Sequence, residues 1–206
     1  MVEYLVASGQ QVFVISWRNP DEAQGHFDTD TYAAAVLEAR QAVADITRQS
    51  ALHLNASCSG GIISAGTTRA GGLEVLGSAV DLQQVDVDSC IVAGVRDHIV
   101  PWQNAYRSTQ LLGGKAKFVL ANSGHIQALV NPASRDSRSS YRVAGEHPAD
   151  SQAFLEQAAK LPGSWWPDYA EWLQERSDDL RPAPGKRGGG GHRALGKAPG
   201  TYVLAK

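Results

Sequence analysis

A cysteine at a glycine-rich turn is the residue of this chain best suited to chemistry. Cys58 lies within residues 56–61 (ASCSGG), after a short apolar run at 52–55 and before another apolar stretch. This pattern predicts a strand, a tight turn and a helix, with Gly60 and Gly61 leaving room for the turn and the close helix. A thiol held at such a turn is exposed above a sheet, where it can act as a nucleophile once deprotonated.

Two further residues follow predicted strands in the way a catalytic acid and base would. Asp97 comes after the apolar run 91–95, and His125 comes after the run 118–120. The carboxyl ends of parallel strands meet at one edge of a sheet. The chain order nucleophile, acid, histidine is that of the α/β-hydrolases. We therefore predict that Cys58 is the nucleophile, His125 its base, and Asp97 the group that fixes the imidazole tautomer.

These residues also have structural interpretations. Asp97 could cap the helix that begins near Trp102, and His125 could be an ordinary loop histidine. Cys90, the second cysteine, lies inside a predicted strand and is interpreted as a core residue. The joint placement of Asp97 and His125 after strands, in order behind Cys58, favours the catalytic interpretation.

The overall composition is that of a globular domain, with 206 residues, 43% of them hydrophobic and 19% charged. A formal net charge of -2 gives no electrostatic argument for binding nucleic acid or an anionic membrane. The two cysteines, without a CxxC motif or a His/Cys cluster, predict neither a disulfide framework nor a metal site, and no cofactor is expected. Without a signal-peptide pattern or a long apolar stretch, we expect a cytoplasmic chain without a transmembrane segment.

Apolar runs alternate with helical patterns through the first two thirds of the chain. The predicted strands are 12–15, 52–55, 89–95 and 115–121, and the predicted helices are 31–48 and 102–112. This alternation predicts an α/β fold with a mainly parallel sheet.

The last third of the chain has a different pattern. Residues 131–150 are predicted to form a surface loop, and 153–176 a helix in which Trp165 and Trp166 pack on the core. The Gly- and Pro-rich segment 181–206 is predicted to be a mobile tail. The expected division is therefore a catalytic domain at 1–180 and a tail at 181–206.

Six motifs, taken together and in order, resemble those of the polyhydroxyalkanoate synthases, which polymerise 3-hydroxyacyl-CoA thioesters into storage polyester. They are residues 14–20 (VISWRNP), 58–61 (CSGG), 97–102 (DHIVPW), 123–126 (SGHI) with 131–132 (NP), 164–166 (SWW) and 198–203 (APGTYV). Ser59 and the terminal motif resemble the class that acts on medium-chain monomers. The resemblance implies a truncated α/β-hydrolase-like fold and carries the catalytic triad of the family over to Cys58, Asp97 and His125.

The resemblance also implies substrates, partners and location. The substrate would be an (R)-3-hydroxyacyl-CoA, with CoA as part of the substrate rather than a cofactor, and the growing polyester chain would be the acceptor. Members of the family are cytoplasmic, associate with polymer granules and form homodimers. The backbone amide of Ser59 would be one donor of the oxyanion hole. The intermediate would be a Cys58 thioester, which keeps the acyl group activated for attack by the hydroxyl of the next monomer.

The chain departs from the family pattern in three places. The interval from Cys58 to Asp97 is too short for the helices and the strand that a complete α/β-hydrolase places there, so the cap is expected to be absent, with residues 65–72 at the join. The N-terminal domain, with the first strands and one oxyanion-hole donor, is also expected to be absent. Ala56 replaces the usual glycine of the turn. We therefore predict a reduced sheet of about four strands and a low activity, because one missing oxyanion donor typically costs about a hundredfold in rate.

Two other functions stay open. The same triad on an uncovered site would serve a cysteine hydrolase or thioesterase, in which water accepts the acyl group. A chain without turnover would instead be a fragment that binds granules or a full-length partner.

Overall fold

The fold consists of two compact units. The computed structural model describes residues 1–17, 19–61, 73–134, 137–198 and 200–201. The first unit comprises residues 1–10 and 81–179, and the second comprises 11–80 and 180–206.

The secondary structure elements are numbered in chain order. The helices are α1 (Val2–Ala7), α2 (Thr29–Thr47), α3 (Trp102–Tyr106), α4 (Ser108–Leu111), α5 (His125–Leu129), α6 (Ser151–Gln157) and α7 (Trp166–Gln174). The strands are β1 (Leu73–Val75), β2 (Ser78–Val80), β3 (Ser89–Gly94), β4 (Ala116–Ala121), β5 (Ser140–Val143), β6 (Ala159–Pro162), β7 (Gly188–Gly189) and β8 (His192–Arg193). Two 3-10 turns lie at Glu22–Gln24 and Leu82–Gln84.

The first unit is built on a mixed sheet of four strands in the order β3-β4-β5-β6. β3 and β4 are parallel, with Cys90 opposite Lys117 and Gly94 opposite Ala121. The β4–β5 and β5–β6 pairs are antiparallel. The predicted α/β class and a main sheet of four strands are confirmed. The sheet is mixed rather than mainly parallel, since only the β3–β4 pair is parallel, and only β3 and β4 are among the strands predicted.

Helices cover both faces of this sheet. On one face, Phe118 and Leu120 of β4 belong to a buried cluster with Trp102, Tyr106 and Phe154. Because successive strand residues point to opposite faces, Lys117 lies on the other face, where it forms an ion pair with Asp168 of α7. The apolar run of β4 is buried on both sides, which is typical of a strand within an α/β layer.

His147 is part of the aromatic core and is held there in its neutral form. Its Nε2 atom accepts a hydrogen bond of 3.2 Å from the amide of Phe118, and its ring stacks on Phe154 at 6.0 Å. Burial lowers the pKa of His147 below its usual 6.5, because an apolar environment disfavours the charged imidazolium.

The first unit should therefore lose stability in mild acid. Since the pKa of His147 is lower in the native state than in the unfolded chain, its contribution is complete above pH 6.5 and declines as the pH falls toward the native pKa. Urea unfolding at pH 7.5 and 5.5 measures the loss. In His147→Gln the loss should become smaller, whereas substitution of the exposed His98 by Gln should leave it unchanged. An equal pH dependence in His147→Gln would contradict this assignment.

Two predicted strands are absent, and the prediction for them is wrong. Residues 12–15 and 52–55 have no strand structure in the second unit, and the side chains of Phe13, Val14 and Leu54 are exposed. Strand structure requires a neighbouring strand to satisfy the backbone, and none pairs with these runs among the described residues. A short apolar run by itself therefore does not suffice to predict a strand.

The segment after His125 is more regular than predicted. The predicted loop at 131–150 contains β5, and the predicted helix at 153–176 is divided into α6 and α7 by β6. Pro162 ends β6, and Gly163 adopts a φ of 86°, a conformation that interrupts a helix and favours glycine. β5 has no continuous apolar run, and antiparallel pairing with β4 and β6 supplies the partners that make it a strand.

The second unit contains the long helix α2 and two small hairpins. Asp28 caps α2 by accepting a hydrogen bond of 2.9 Å from the amide of Thr31, so the helix predicted at 31–48 is confirmed and begins two residues earlier, at Thr29. β1 pairs with β2, and β7 pairs with β8. The β7–β8 hairpin packs against α2: a side chain at Gly190 would lie 2.4 Å from the carbonyl oxygen of Asp45. The division into a catalytic domain at 1–180 and a tail at 181–206 stays a prediction.

Within the described ranges, no helix is both long enough and apolar enough to span a bilayer.

Candidate active site

The carboxyl ends of β3 and β4 lie side by side and carry two of the predicted residues. The amide of Val95 donates to the carbonyl of Ala121 at 2.8 Å, which extends the parallel pairing by one residue. The amide of Arg96 then donates to the carbonyl of Ser123 at 3.1 Å. These bonds hold the turn after β3 against the loop after β4, so that Asp97 and the N-terminus of α5 meet.

Asp97 is fixed through both of its carboxylate oxygens. Oδ1 accepts hydrogen bonds from the amides of Ile99, at 2.8 Å, and Val100, at 3.0 Å. Oδ2 lies 2.6 Å from Nδ1 of His125. The side chain of Asp97 is only 8% exposed, so its contact with His125 is largely protected from solvent. Asp97 therefore holds its own turn and contacts His125, whereas the interpretation that it caps the helix beginning at Trp102 is wrong, because that helix has Pro101 at its N-cap and no side-chain cap.

The environment of Asp97 keeps it ionised. Desolvation raises the pKa of this carboxyl, but the hydrogen bonds from Val100, His125 and Ile99 together outweigh it and lower the pKa below the usual 3.8. Because the native pKa is the lower one, the contribution of Asp97 to stability is complete above about pH 4 and is lost as the pH falls through the native value. Asp97 is thus a carboxylate throughout the neutral range.

This carboxylate determines what His125 can do. An ionised oxygen beside Nδ1 favours the tautomer with the proton on Nδ1, which leaves Nε2 as the ring nitrogen that can accept a proton. His125 is the first residue of α5, and 19% of its side chain is exposed. A buried acid and a partly exposed imidazole are the arrangement that a general base requires.

Cys58 adopts an uncommon backbone conformation. Its φ of 54° lies in the left-handed region, which a residue with a side chain occupies at an energetic cost. A nucleophile on a sharp, strained turn has this geometry. The residue is exposed, and a helical turn begins directly after it at Ser59. The first amides of a helix have no partner within it, so the Ser59 N–H is suited to an oxyanion.

The described residues leave open space around the two glycines that follow Cys58. A side-chain carbon at Gly60 would be 3.8 Å from Ala56, an ordinary contact, and one at Gly61 would meet no described atom within 4 Å. The predicted helix after these glycines falls on residues 62–72, outside the described residues, so their role in leaving room for it stays a prediction. The positive φ of the turn is carried by Cys58 itself.

The structure brings together Asp97 and His125, both in the first unit, whereas Cys58 and Ser59 belong to the second. The catalytic roles of these four residues stay predictions. Residues 65–72, the predicted join, lie outside the described residues, as does part of the terminal motif at 198–203. Cys90 lies in β3, and burial raises the pKa of its thiol to about 12, so it has little thiolate character.

Gly94 is a residue of the site that sequence reasoning did not identify. It is the last residue of β3, and a side-chain carbon there would lie 2.5 Å from the carbonyl oxygen of Ser123. The close approach of β3 to the loop that carries His125 therefore requires glycine. A glycine at the end of a strand, three residues before an acid, was the available signal.

Gly94→Ala should separate Asp97 from His125. The added carbon must displace the loop at Ser123, and overpacking of this kind costs about 1–3 kcal/mol. We expect a lower free energy of unfolding and a weakened Nδ1 proton signal of His125 in NMR spectra. Gly145→Ala is the matched control, since a side-chain carbon there meets nothing within 4 Å. Unchanged stability and an unchanged proton signal in Gly94→Ala would contradict the requirement for glycine.

Among the residues that the structure describes, no group of three or more His, Cys, Asp or Glu side chains is placed to hold a metal ion.

Known proteins have sequences similar to about two thirds of this chain. The chain is 46% identical over 139 residues to poly(3-hydroxyalkanoate) polymerase 2 of Ectopseudomonas oleovorans, covering 68% of this chain and 25% of that protein. It is 44% identical over 136 residues to polymerase 1 of the same organism, covering 66% and 24%. The poly(3-hydroxyalkanoate) polymerase subunit of Cupriavidus necator is 43% identical over 136 residues, covering 66% and 23%. The aligned region thus spans about a quarter of each relative. No protein-family model matches the chain.

Proposed function

The chain is a homologue of the poly(3-hydroxyalkanoate) polymerases, and from this premise we propose that it carries the cysteine acyl-transfer chemistry of a polyester synthase. The substrate in this proposal is an (R)-3-hydroxyacyl-CoA thioester, and the product is a polyester chain. CoA is the leaving group of the substrate, and no resident cofactor takes part.

The proposed reaction has two acyl transfers. In the first, His125 accepts the thiol proton of Cys58, the thiolate attacks the substrate carbonyl, and the C–S bond to CoA breaks as CoA leaves with that proton. In the second, His125 accepts the proton of a 3-hydroxyl group, the alkoxide attacks the Cys58 thioester, and the Cys58 sulfur leaves and is reprotonated. The Ser59 amide stabilises the oxyanion in both steps, and Asp97 stabilises the imidazolium.

The observation that carries this proposal is the 2.6 Å contact between Asp97 Oδ2 and His125 Nδ1. It joins two residues that are distant in sequence, and the amides of Ile99 and Val100 fix the acid in place. An ordinary ion pair between two exposed side chains does not require backbone amides to hold its carboxylate in place, so these hydrogen bonds favour a catalytic pair. The positive φ of Cys58 adds the turn geometry of a nucleophile.

A thioesterase is the second candidate, and the exposure of Cys58 favours it. Water has free access to an exposed acyl-cysteine and competes with the hydroxyl of the next monomer. The first acyl transfer is then unchanged, and the second releases a free 3-hydroxy acid.

We further propose that the chain prefers medium-chain monomers and acts in the cytoplasm on polymer granules as a homodimer. The monomer preference is supported by Ser59 directly after the nucleophile and by the motif at 198–203, which resemble the class acting on medium-chain monomers. The location and the homodimer rest on the family resemblance.

Release of CoA from (R)-3-hydroxydecanoyl-CoA and (R)-3-hydroxybutyryl-CoA, with separation of polymer from free acid, tests these functions. Polymer supports the synthase, free acid supports the thioesterase, and no release would overturn both. We expect Cys58→Ala to abolish the release. Cys90→Ala is the matched control and should retain it, because the Cys90 thiol is half-buried with a pKa of about 12. Equal loss in both variants would contradict the role of Cys58.

A further inference from the structure

The short helix that carries His125 is secured from its other end. α5 has only five residues, and a helix of this length is not stable by itself. Its internal bonds include those from the amide of Ala128 to the carbonyl of Gly124, at 2.8 Å, and from Val130 to Ile126, at 2.9 Å. The carbonyls of its last residues have no partner within the helix. External donors must therefore hold them.

Two neighbouring indoles supply these donors. Nε1 of Trp165 donates to the carbonyl of Ala128 at 2.7 Å, and Nε1 of Trp166 donates to the carbonyl of Leu129 at 3.1 Å. Both tryptophans are at most 5% exposed. Because water cannot reach these buried hydrogen bonds and compete for them, each bond fixes the position of the carbonyl that accepts it.

Ser164 connects the two ends of this arrangement. Its hydroxyl donates to the carbonyl of Asn131, just beyond α5, and accepts a hydrogen bond of 3.1 Å from the amide of Trp166 at the start of α7. Residues 164–166 therefore join the C-terminal end of α5 to the N-terminal end of α7. The sequence interpretation of these tryptophans as packing described their burial but not their hydrogen bonds.

We propose that Trp165 and Trp166 are positioning residues for His125. Because α5 has little more than one turn, a rotation or shift of the helix moves the imidazole at its first residue relative to Asp97. The two indole bonds oppose that movement. The consequence for turnover rests on the proposed function, whereas the consequence for the contact between Asp97 and His125 does not.

The test is the rate at which the His125 Nδ1 proton exchanges with solvent, measured by NMR in Trp165→Phe, Trp166→Phe and the double variant. Phenylalanine keeps an aromatic ring and removes the N–H donor. We expect exchange to become about three- to tenfold faster in each single variant, the factor that one hydrogen bond contributes, and faster still in the double variant. If the chain releases CoA, kcat should fall by a similar factor while KM is retained.

Tyr106→Phe is the matched control, since it also removes one donor to a backbone carbonyl, that of Pro148 at 2.7 Å, in the same unit. A merely structural role would change the exchange of His125 equally in all single variants. That result, or unchanged exchange in the double variant, would overturn the proposal. If Trp165→Phe does not fold, benzothienylalanine at position 165 keeps the shape and lacks the N–H. A chain that releases no CoA would contradict the proposed function alone, because the exchange measurement needs no turnover.

Discussion

Asp97→Asn should reduce the release of CoA by about 10³- to 10⁴-fold while the first unit stays folded. The loss expected is that of an acid-to-amide change in a serine triad, where the wrong imidazole tautomer is selected. An asparagine can keep Oδ1 as the acceptor for the amides of Ile99 and Val100. It places an NH2 group beside Nδ1 of His125, at a position where a carboxylate oxygen now lies at 2.6 Å.

Two donors cannot face each other, so His125 must move its proton to Nε2. The nitrogen that should accept the proton of Cys58 or of the substrate hydroxyl is then already protonated. Measurement of CoA release with saturating (R)-3-hydroxydecanoyl-CoA gives the loss, and thermal unfolding shows that the fold remains. The loss should persist across the neutral pH range, because the pKa of Asp97 is lowered and the wild-type acid is ionised throughout it.

The matched control for charge is Asp88→Asn. Asp88 lies in the same unit and pairs with Arg176 at 3.0 Å on the surface, where a salt bridge contributes little. This variant should release CoA at the wild-type rate. Turnover of Asp97→Asn within about tenfold of the wild type would show that His125 does not depend on the acid.

The sequence predicted the sheet where a strand could be recognised from its own residues. β4 contains a continuous apolar run that is buried on both faces, and its bounds were predicted to within one residue. Residues 12–15 form a run of the same kind, yet they are not a strand. The difference lies in the available neighbours, which depend on distant parts of the chain. β5 shows the converse, because a short segment without a continuous apolar run becomes a strand through pairing with β4 and β6.

In the candidate site too, features that depend on nearby residues could be predicted from the sequence, whereas contacts between distant residues could not. The order of Cys58, Asp97 and His125 sufficed to predict that the acid and the histidine meet, because both follow strands that are adjacent and parallel. The position of Gly94 before the acid was a signal in the sequence, but the contacts that support the pair of Asp97 and His125 could not be predicted from it. Gly94 is required by a carbonyl 29 residues away in the chain, and the indoles at 165 and 166 bond to carbonyls 37 residues away. No periodicity of the sequence records such contacts.

Phe154→Ala should cost the first unit about 3–5 kcal/mol of unfolding free energy, which is the usual cost of removing a buried phenylalanine ring. Phe154 has no exposed surface, and its ring lies 4.9 Å from that of Tyr106, 5.3 Å from that of Phe118 and 6.0 Å from that of His147. The cavity would open between α6 and the sheet, where these rigid rings cannot collapse to fill it.

A domain is stable by only about 5–15 kcal/mol, so this loss would leave the first unit close to unfolding at 37 °C. Urea unfolding followed by tryptophan fluorescence measures it, since Trp102, Trp165 and Trp166 all lie in that unit. Phe27→Ala is the matched control: the ring of Phe27 is 42% exposed in the second unit, and its removal should leave the transition of the first unit unchanged. A cost below about 1 kcal/mol for Phe154→Ala would mean that the aromatic cluster is not the core that holds β3 and β4, and with them Asp97 and His125, in place.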